Sequence, residues 1–450
     1  MIDPLPYLTH DFDGIGGVIR QRPEDFLVEE IPLYEPVGEG EHVFVEIQKL
    51  GLTTFDAINR IARECNVPAR DIGFAGMKDK DAVTRQIISV PGVSEERLMK
   101  LQSPELSVLW ATRHRNKLKL GHLKGNRFVI RIREVEPSSV VRLQSPIRLL
   151  QQRGLPNFFG EQRFGIRHDN DRLGAALIRG DNSRVLHLLL GSPRAEVDPP
   201  EIVQARTHFD RGEFDESLRH WPRRCGMERR LVARFAKTRR PGATVRGIEP
   251  RLRRLWITAL QSRVFNEVLR RRLDTLDRIL PGEVCEKLDN HACFRAEDIV
   301  AEQLRADRWE ISPTGPLLGY RLTLPTGEAL AIEESVFAQF ELKPDDFRNA
   351  ERDRAKGDRR ALRVRPEDVR LESGVDEIGS YVLVAFTLPA GSFATILLRE
   401  LMKPERHGKD EMTEVAPPVG HDAADETSLS SAEAEASGED ADEASTESAD

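Results

Sequence analysis

Gly73-Phe74-Ala75-Gly76-Met77-Lys78-Asp79-Lys80-Asp81-Ala82-Val83-Thr84-Arg85-Gln86 is a glycine-flanked turn that runs straight into a β-prone stretch, Val83 to Val90. Gly73 and Gly76 allow a tight turn or a close approach of backbone to a ligand. Asp79 stands between Lys78 and Lys80, whose positive charges favour an ionised carboxylate. A carboxylate kept ionised at a strand entrance is a candidate nucleophile or base. Asp81, beyond the second lysine, is the local rival.

Outward from this turn, residues 26–31 and 42–48 read as strands; Val43, Val45 and Ile47 fall on one face of the second. Thr53 or Thr54 is placed to cap a helix whose apolar side is Phe55, Ile58, Ile61, Ala62 and Cys65, and Pro68 closes that segment. Residues 127–133 alternate, with Phe128, Ile130 and Ile132 facing one way, and 381–388 form another strong strand pattern. Helical patterns dominate between, at 140–153 and 254–273 among others. Strands early, strands late and helices between suggest a sheet domain interrupted by an insertion.

Composition sets the class. At 450 residues, 39% hydrophobic and 32% charged, the chain is long enough for two or three domains with a large core. It has no run of 18 apolar residues, and Met1-Ile2-Asp3-Pro4 has neither the basic nor the apolar stretch of a secretory signal. Cys65, Cys225, Cys285 and Cys293 form no CxxC pair, and His114, His122 and His168 lack metal-ligand spacing; a cytoplasmic protein without a structural metal is expected. Asp13-Gly14-Ile15-Gly16-Gly17 does not follow a strand, so it reads as a turn rather than a dinucleotide loop.

The net charge of −8 is unevenly spread. Residues 409–450 hold fourteen acids and one lysine, a net of −13, so the other 408 residues carry +5. The acidic stretch, almost all Ala, Ser, Glu, Asp and Thr, reads as a disordered tail at 408–450 that aids solubility or competes with RNA for the basic body. From Arg219 to Arg254 thirteen Arg and Lys stand against Glu228 and Glu249, with Trp221, Pro222 and Phe235 interleaved. Clustered cations of this kind neutralise phosphates. Arg229, Arg230 and Arg234 are the trio expected to follow one phosphate strand, unless the face is ordinary solvated surface.

The turn around Asp79 resembles the catalytic motif of the TruD family of transfer-RNA pseudouridine synthases. Four further segments resemble that family in the same order: Arg22-Pro23-Glu24-Asp25-Phe26-Leu27-Val28-Glu29-Glu30, Leu123-Lys124-Gly125-Asn126-Arg127-Phe128, Pro156-Asn157-Phe158-Phe159-Gly160-Glu161-Gln162-Arg163-Phe164-Gly165, and Leu388-Pro389-Ala390-Gly391-Ser392-Phe393-Ala394-Thr395. The run Gln261-Ser262-Arg263-Val264-Phe265-Asn266 is also similar. The likeness covers nearly everything from Pro23 to Leu401.

The resemblance implies a mixed α/β (α+β) protein whose catalytic domain is built around an antiparallel sheet, residues 1–153 and 365–407, with a mostly helical insertion from 154 to 364 facing the catalytic cleft. It implies isomerisation of uridine 13 in the D arm of tRNA, with Asp79 as catalytic aspartate, nucleophile at C1′ or base at C2′, and no cofactor, metal or nucleotide. Phe26, Phe128 and Phe393 would line the uridine site, Asn126 would pair with a uracil edge, and Lys78 and Arg20 would supply charge beside the carboxylate. Core packing is the ordinary alternative for both Phe26 and Phe128, and a turn-forming role for Asn126. Arg20 departs from the pattern, which often has lysine there. Phe159 and Arg163 look like domain-junction residues. The partner is tRNA, with no membrane, and a monomer is expected. Two rivals remain at this level: a non-catalytic RNA-binding protein, and a carbohydrate-active hydrolase using Asp79 with Asp81, which the basic body and the four Tyr and four Trp disfavour.

Overall fold

The computed structural model describes residues 4–349 and 353–403; the acidic tail read at 408–450, with residues 404–407, lies outside them. The chain divides into two compact units, one of Pro6–Asn157 with the chain from Val364 on, the other built on Phe158–Arg363. Among the described residues no helix is long and apolar enough to cross a membrane.

The first unit is organised by an eight-stranded sheet. Its strands are β1 (Phe26–Pro32), β2 (His42–Lys49), β3 (Gly73–Phe74), β4 (Val83–Pro91), β5 (Leu106–His114), β6 (Leu123–Arg133), β7 (Glu367–Asp376) and β8 (Gly379–Pro389). The order is β7-β8-β6-β1-β4-β2-β5, with β3 added against β4. All neighbours are antiparallel except β1 and β4. A parallel pair requires a long crossover, here supplied by β2, the helix α1 (Thr54–Cys65) and β3. The expected antiparallel sheet therefore holds one parallel joint, and it lies beside the Asp79 turn.

Alternation explains why these segments pair. Val43, Val45 and Ile47 of β2, with Ile88 and Val90 of β4, bury one face against Ala57, Ile58, Ile61, Ala62 and Cys65 of α1. Thr53 caps α1 through Oγ1, which accepts from Asp56 N at 3.1 Å, while Asp56 Oδ2 accepts from Thr53 N at 3.0 Å. Phe55 is only half-buried and meets Phe74 edge-on at 5.7 Å. Two glycines are fixed by close approach: a Cβ on Gly73 would lie 2.2 Å from Leu118 O, and one on Gly125 would lie 2.5 Å from Leu388 O.

The second unit has a helical core. Labelled here are α2 (Phe214–His220), α3 (Gly226–Thr238) and α4 (Pro250–Arg272). Residues on all sides of α4 are buried, among them Leu255, Trp256, Leu260, Val264, Phe265 and Leu269, as befits a helix through the middle of a core. The unit also carries a four-stranded antiparallel sheet, Asp358–Ala361, Ile311–Leu317, Val284–Lys287 and Cys293–Arg295 in spatial order. The sequence reading found no strands there. Pro313, Pro316, Arg359 and Arg360 interrupt any period-two apolar pattern in strands this short.

Candidate active site

One face of the large sheet carries a straight cross-strand row: Lys49 on β2, Thr84 on β4, Val28 on β1, Phe128 on β6 and Phe386 on β8. The next row along the same face sets Glu30 opposite Asn126, and Asn126 opposite Leu388. Polar groups are concentrated at this end. Lys49, Thr84 and Gln86 are fully buried. Thr84 Oγ1, Gln86 Nε2 and Asn126 Oδ1 are buried atoms with no hydrogen-bond partner among the described residues.

The segment from Ala75 to Ala82 has no regular structure and carries Asp79 over this end of the sheet. Its backbone is held from three sides. Lys78 N donates to Thr54 Oγ1 at 2.9 Å, and Thr54 Oγ1 donates in turn to Gln86 Oε1 at 3.0 Å. Lys78 Nζ reaches down to Glu30 Oε1 at 2.8 Å, with both side chains almost fully buried. Glu30 Oε2 accepts from Ile87 N at 3.0 Å. Lys49 Nζ donates to Leu52 O at 2.6 Å, Asp79 O at 2.8 Å and Lys78 O at 3.1 Å. Burial pushes the Lys49 ammonium down to about 8, against the pull of the Asp79 carboxylate.

The Asp79 side chain is 36% exposed, so the carboxylate is reachable from solvent. Arg20 Nη2 donates to Asp79 Oδ2 at 2.9 Å. The same guanidinium lies over the Phe26 ring, 4.2 Å from its centroid. Arg20 sits in the left-handed backbone region at φ +61°, a conformation uncommon for a non-glycine residue.

The residues named from sequence thus fall into place unequally. Asp79, Arg20 and Phe26 form one contact chain. Phe26 is 3% exposed, and its ring carries Arg20 rather than offering an open face. Lys78 pairs its charge with Glu30, and Lys80 is exposed. The cation on Asp79 is Arg20. Asn126 is brought next to the Lys78–Glu30 pair through its cross-strand partner. Phe128 is buried and stacks on Phe386 at 5.2 Å with 26° between rings. Phe393 is half-buried and precedes the helix Ala394–Met402; its segment leaves the sheet where Ala390 N donates to Lys124 O, at the Asn126 end of β6. Asp81 is exposed. Glu30, Lys49 and Gln86 carried no role in the sequence reading, and Thr54 entered it only as a possible helix cap. Glu30 stood inside a quoted motif, whereas Lys49 reads as an ordinary strand-end lysine.

In the second unit, Phe159 N donates to Asn266 Oδ1 and Asn266 Nδ2 to Phe159 O, both at 2.9 Å, and Arg163 Nε donates to Ser262 Oγ at 3.2 Å. The segment entering this unit is thereby locked to α4. Of the proposed phosphate trio on α3, Arg230 and Arg234 are exposed, as is Lys237. Arg229 is only partly exposed, and its Nη1 donates to Leu218 O at 2.8 Å and Trp221 O at 2.5 Å. Those carbonyls end α2, so Arg229 is a C-terminal helix fastener.

A family model described as tRNA pseudouridine synthase D (TruD) matches residues 4–401. A tRNA pseudouridine synthase D of Geobacter sulfurreducens is 44% identical over 405 residues, 89% of this chain and 98% of that one. Its counterpart in an Anaeromyxobacter species is 36% identical over 400 residues, 88% and 96% of the two chains. Among solved structures, a putative tRNA pseudouridine synthase D from Methanosarcina mazei superposes with a TM-score of 0.79 at 30% identity, covering 88% of this chain and 96% of that one.

Proposed function

Because the chain belongs to the TruD family of tRNA pseudouridine synthases, we propose that it isomerises uridine 13, in the D arm of tRNA, with Asp79 as the catalytic carboxylate. The observation that carries this reading is the Arg20–Asp79 pair stacked on Phe26, which presents an oriented and solvent-reachable carboxylate above a polar sheet end. The reaction breaks the bond from uracil N1 to ribose C1′, turns the base, and joins C5 to C1′; the C5 proton is then lost and N1 takes up a proton, so that product and substrate are isomers. No electrons are gained or lost overall. Asp79 acts as nucleophile at C1′ or removes the C2′ proton, and both routes need the carboxylate within reach of the ribose.

The uridine must leave its stack, at a cost of a few kcal/mol. Asn126 is suited to return part of that, since its amide carries both a donor and an acceptor for a uracil edge and its Oδ1 is without a partner among the described residues. Phe393 supplies an aromatic surface on the segment that leaves the Asn126 end. RNA affinity comes from the exposed cations of α3, which neutralise phosphate without reading bases.

The test is base-resolved pseudouridine mapping of tRNA treated with wild type or Asp79→Asn. Wild type is expected to modify position 13 and the variant nothing, with RNA binding within a few-fold. Modification at another position would overturn the site assignment, and wild-type conversion by the variant would overturn Asp79.

A further inference from the structure

We propose that Lys49 is a positioning residue for the reaction: a buried ammonium that grips the Lys78 and Asp79 carbonyls from below and fixes the height and direction of the catalytic carboxylate. The inference rests on Asp79 acting as argued above. Lys49 stands at the end of β2, where a lysine ordinarily extends its charge into water. Here it is fully buried. Burying an ammonium is costly unless its protons are matched. All three N–H bonds have a carbonyl within reach, at 2.6, 2.8 and 3.1 Å. One of these belongs to Leu52, just before α1, so the cation ties the loop to the helix that follows β2.

The grip needs the charged form. A neutral amine has two N–H groups and a lone pair, and the lone pair would face a carbonyl oxygen. The charged groups around Lys49 are Asp79 and Lys78 on the loop, Asp56 on α1 and Glu30 on β1, with Arg20 beyond Asp79. Their signs nearly balance, so burial decides the direction in which Lys49 titrates. Loss of its proton releases the backbone on either side of the catalytic carbon chain while Arg20 and the RNA-binding surface stay as they were. A loop shift on the order of 1 Å costs about 10²-fold in rate and little in RNA affinity.

The experiment measures single-turnover pseudouridine formation, at any position of saturating tRNA, for wild type, Lys49→Met and Lys49→Arg from neutral to alkaline pH, with RNA affinity and circular dichroism at each point. Wild type is expected to lose rate as pH rises through about 8 with affinity unchanged. Lys49→Met is expected to be slower by about 10²-fold at neutral pH, with affinity within a few-fold and no further fall near pH 8. Lys49→Arg, charged throughout, is expected to lack the alkaline fall and to keep more rate than Lys49→Met. Lys49→Met turning over at the wild-type rate, or the alkaline fall persisting in Lys49→Arg, would overturn the proposal. If Lys49→Met does not fold, a flat wild-type profile through pH 8 overturns it alone. A wrong target position leaves these outcomes unchanged, because every pseudouridine is counted.

Discussion

Arg20 holds two partners with one planar group. Its Nη2 reaches Asp79 while its face covers Phe26, a geometry that a lysine point charge does not reproduce. The pair is partly exposed, 16% and 36% for the two side chains, so its contribution to stability is at most about 1 kcal/mol. Its value is orientation of the carboxylate. Arg20→Gln is therefore expected to leave the melting temperature nearly unchanged and to lower the single-turnover rate by about 10²-fold, with Arg20→Lys intermediate; equal rates for all three would remove Arg20 from the reaction. Asp81→Asn, at an exposed position, should remain near wild type. At this scale the sequence singled out Asp79 as a candidate and disclosed little of its setting. Asp79 stood out because glycines and a strand entrance frame it. Lys49 meets it across 30 positions and Arg20 across 59, and no local spacing encodes such contacts. Lys78, the obvious neighbour in sequence, turns its charge to Glu30, 48 positions away in the chain.

Elements carry a second electrostatic device. Arg133, at the end of β6, is 1% exposed and donates to both Asp25 oxygens at 2.7 Å and to both Asp376 oxygens at 2.8 Å. It ties the entrance of β1, one residue before Phe26, to the end of β7. Burial works against the charged form of Asp25, and the hydrogen bonds and charge of Arg133, with Arg22, overcome it and hold that carboxyl low. The Arg133 hydrogen bonds likewise hold the Asp376 carboxyl well below the carboxylate range. Both folded values lie under the ordinary 3.8. The stability they contribute is thus complete above that value and is lost as pH falls below it toward the folded values. Arg133→Met should cost about 3–5 kcal/mol at neutral pH, since Asp25 keeps its burial and loses its main partner; urea unfolding measures this. Asp376→Asn should flatten part of the acid limb of urea stability, and an unchanged limb would show that this carboxylate does not contribute. The large sheet was the legible part of the fold, because Val43, Val45 and Ile47, and Phe128, Ile130 and Ile132, recur at every second position of their segments. The small sheet was not, because its strands are held by side chains such as Arg359 paired with Glu333 at 2.7 Å rather than by an apolar period.

Across the whole molecule, the proposed chemistry and the proposed RNA contacts reside on different units of the chain. The carboxylate and its supports all belong to the unit of Pro6–Asn157 and the chain from Val364 on; the basic helix belongs to Phe158–Arg363. Mutations in one should therefore change the rate constant and mutations in the other the dissociation constant. On α3, Arg230, Arg234 and Lys237 are exposed at i, i+4 and i+7 and form one stripe along the helix. Arg229 lies off that stripe and fastens the end of α2. Charge reversal of Arg230, Arg234 and Lys237 should weaken tRNA binding and lower the slope of log affinity against log salt by about one unit per lost phosphate contact. The modified position should not move, because phosphate contacts carry no base information. Arg229→Gln should do the reverse, lowering the melting temperature while leaving the salt slope intact, since its donors are already bound to backbone. Salt titrations of binding beside thermal melts separate the two. A triple variant with the wild-type slope would place the RNA path away from α3, and a reduced slope in Arg229→Gln would return Arg229 to the phosphate-binding set.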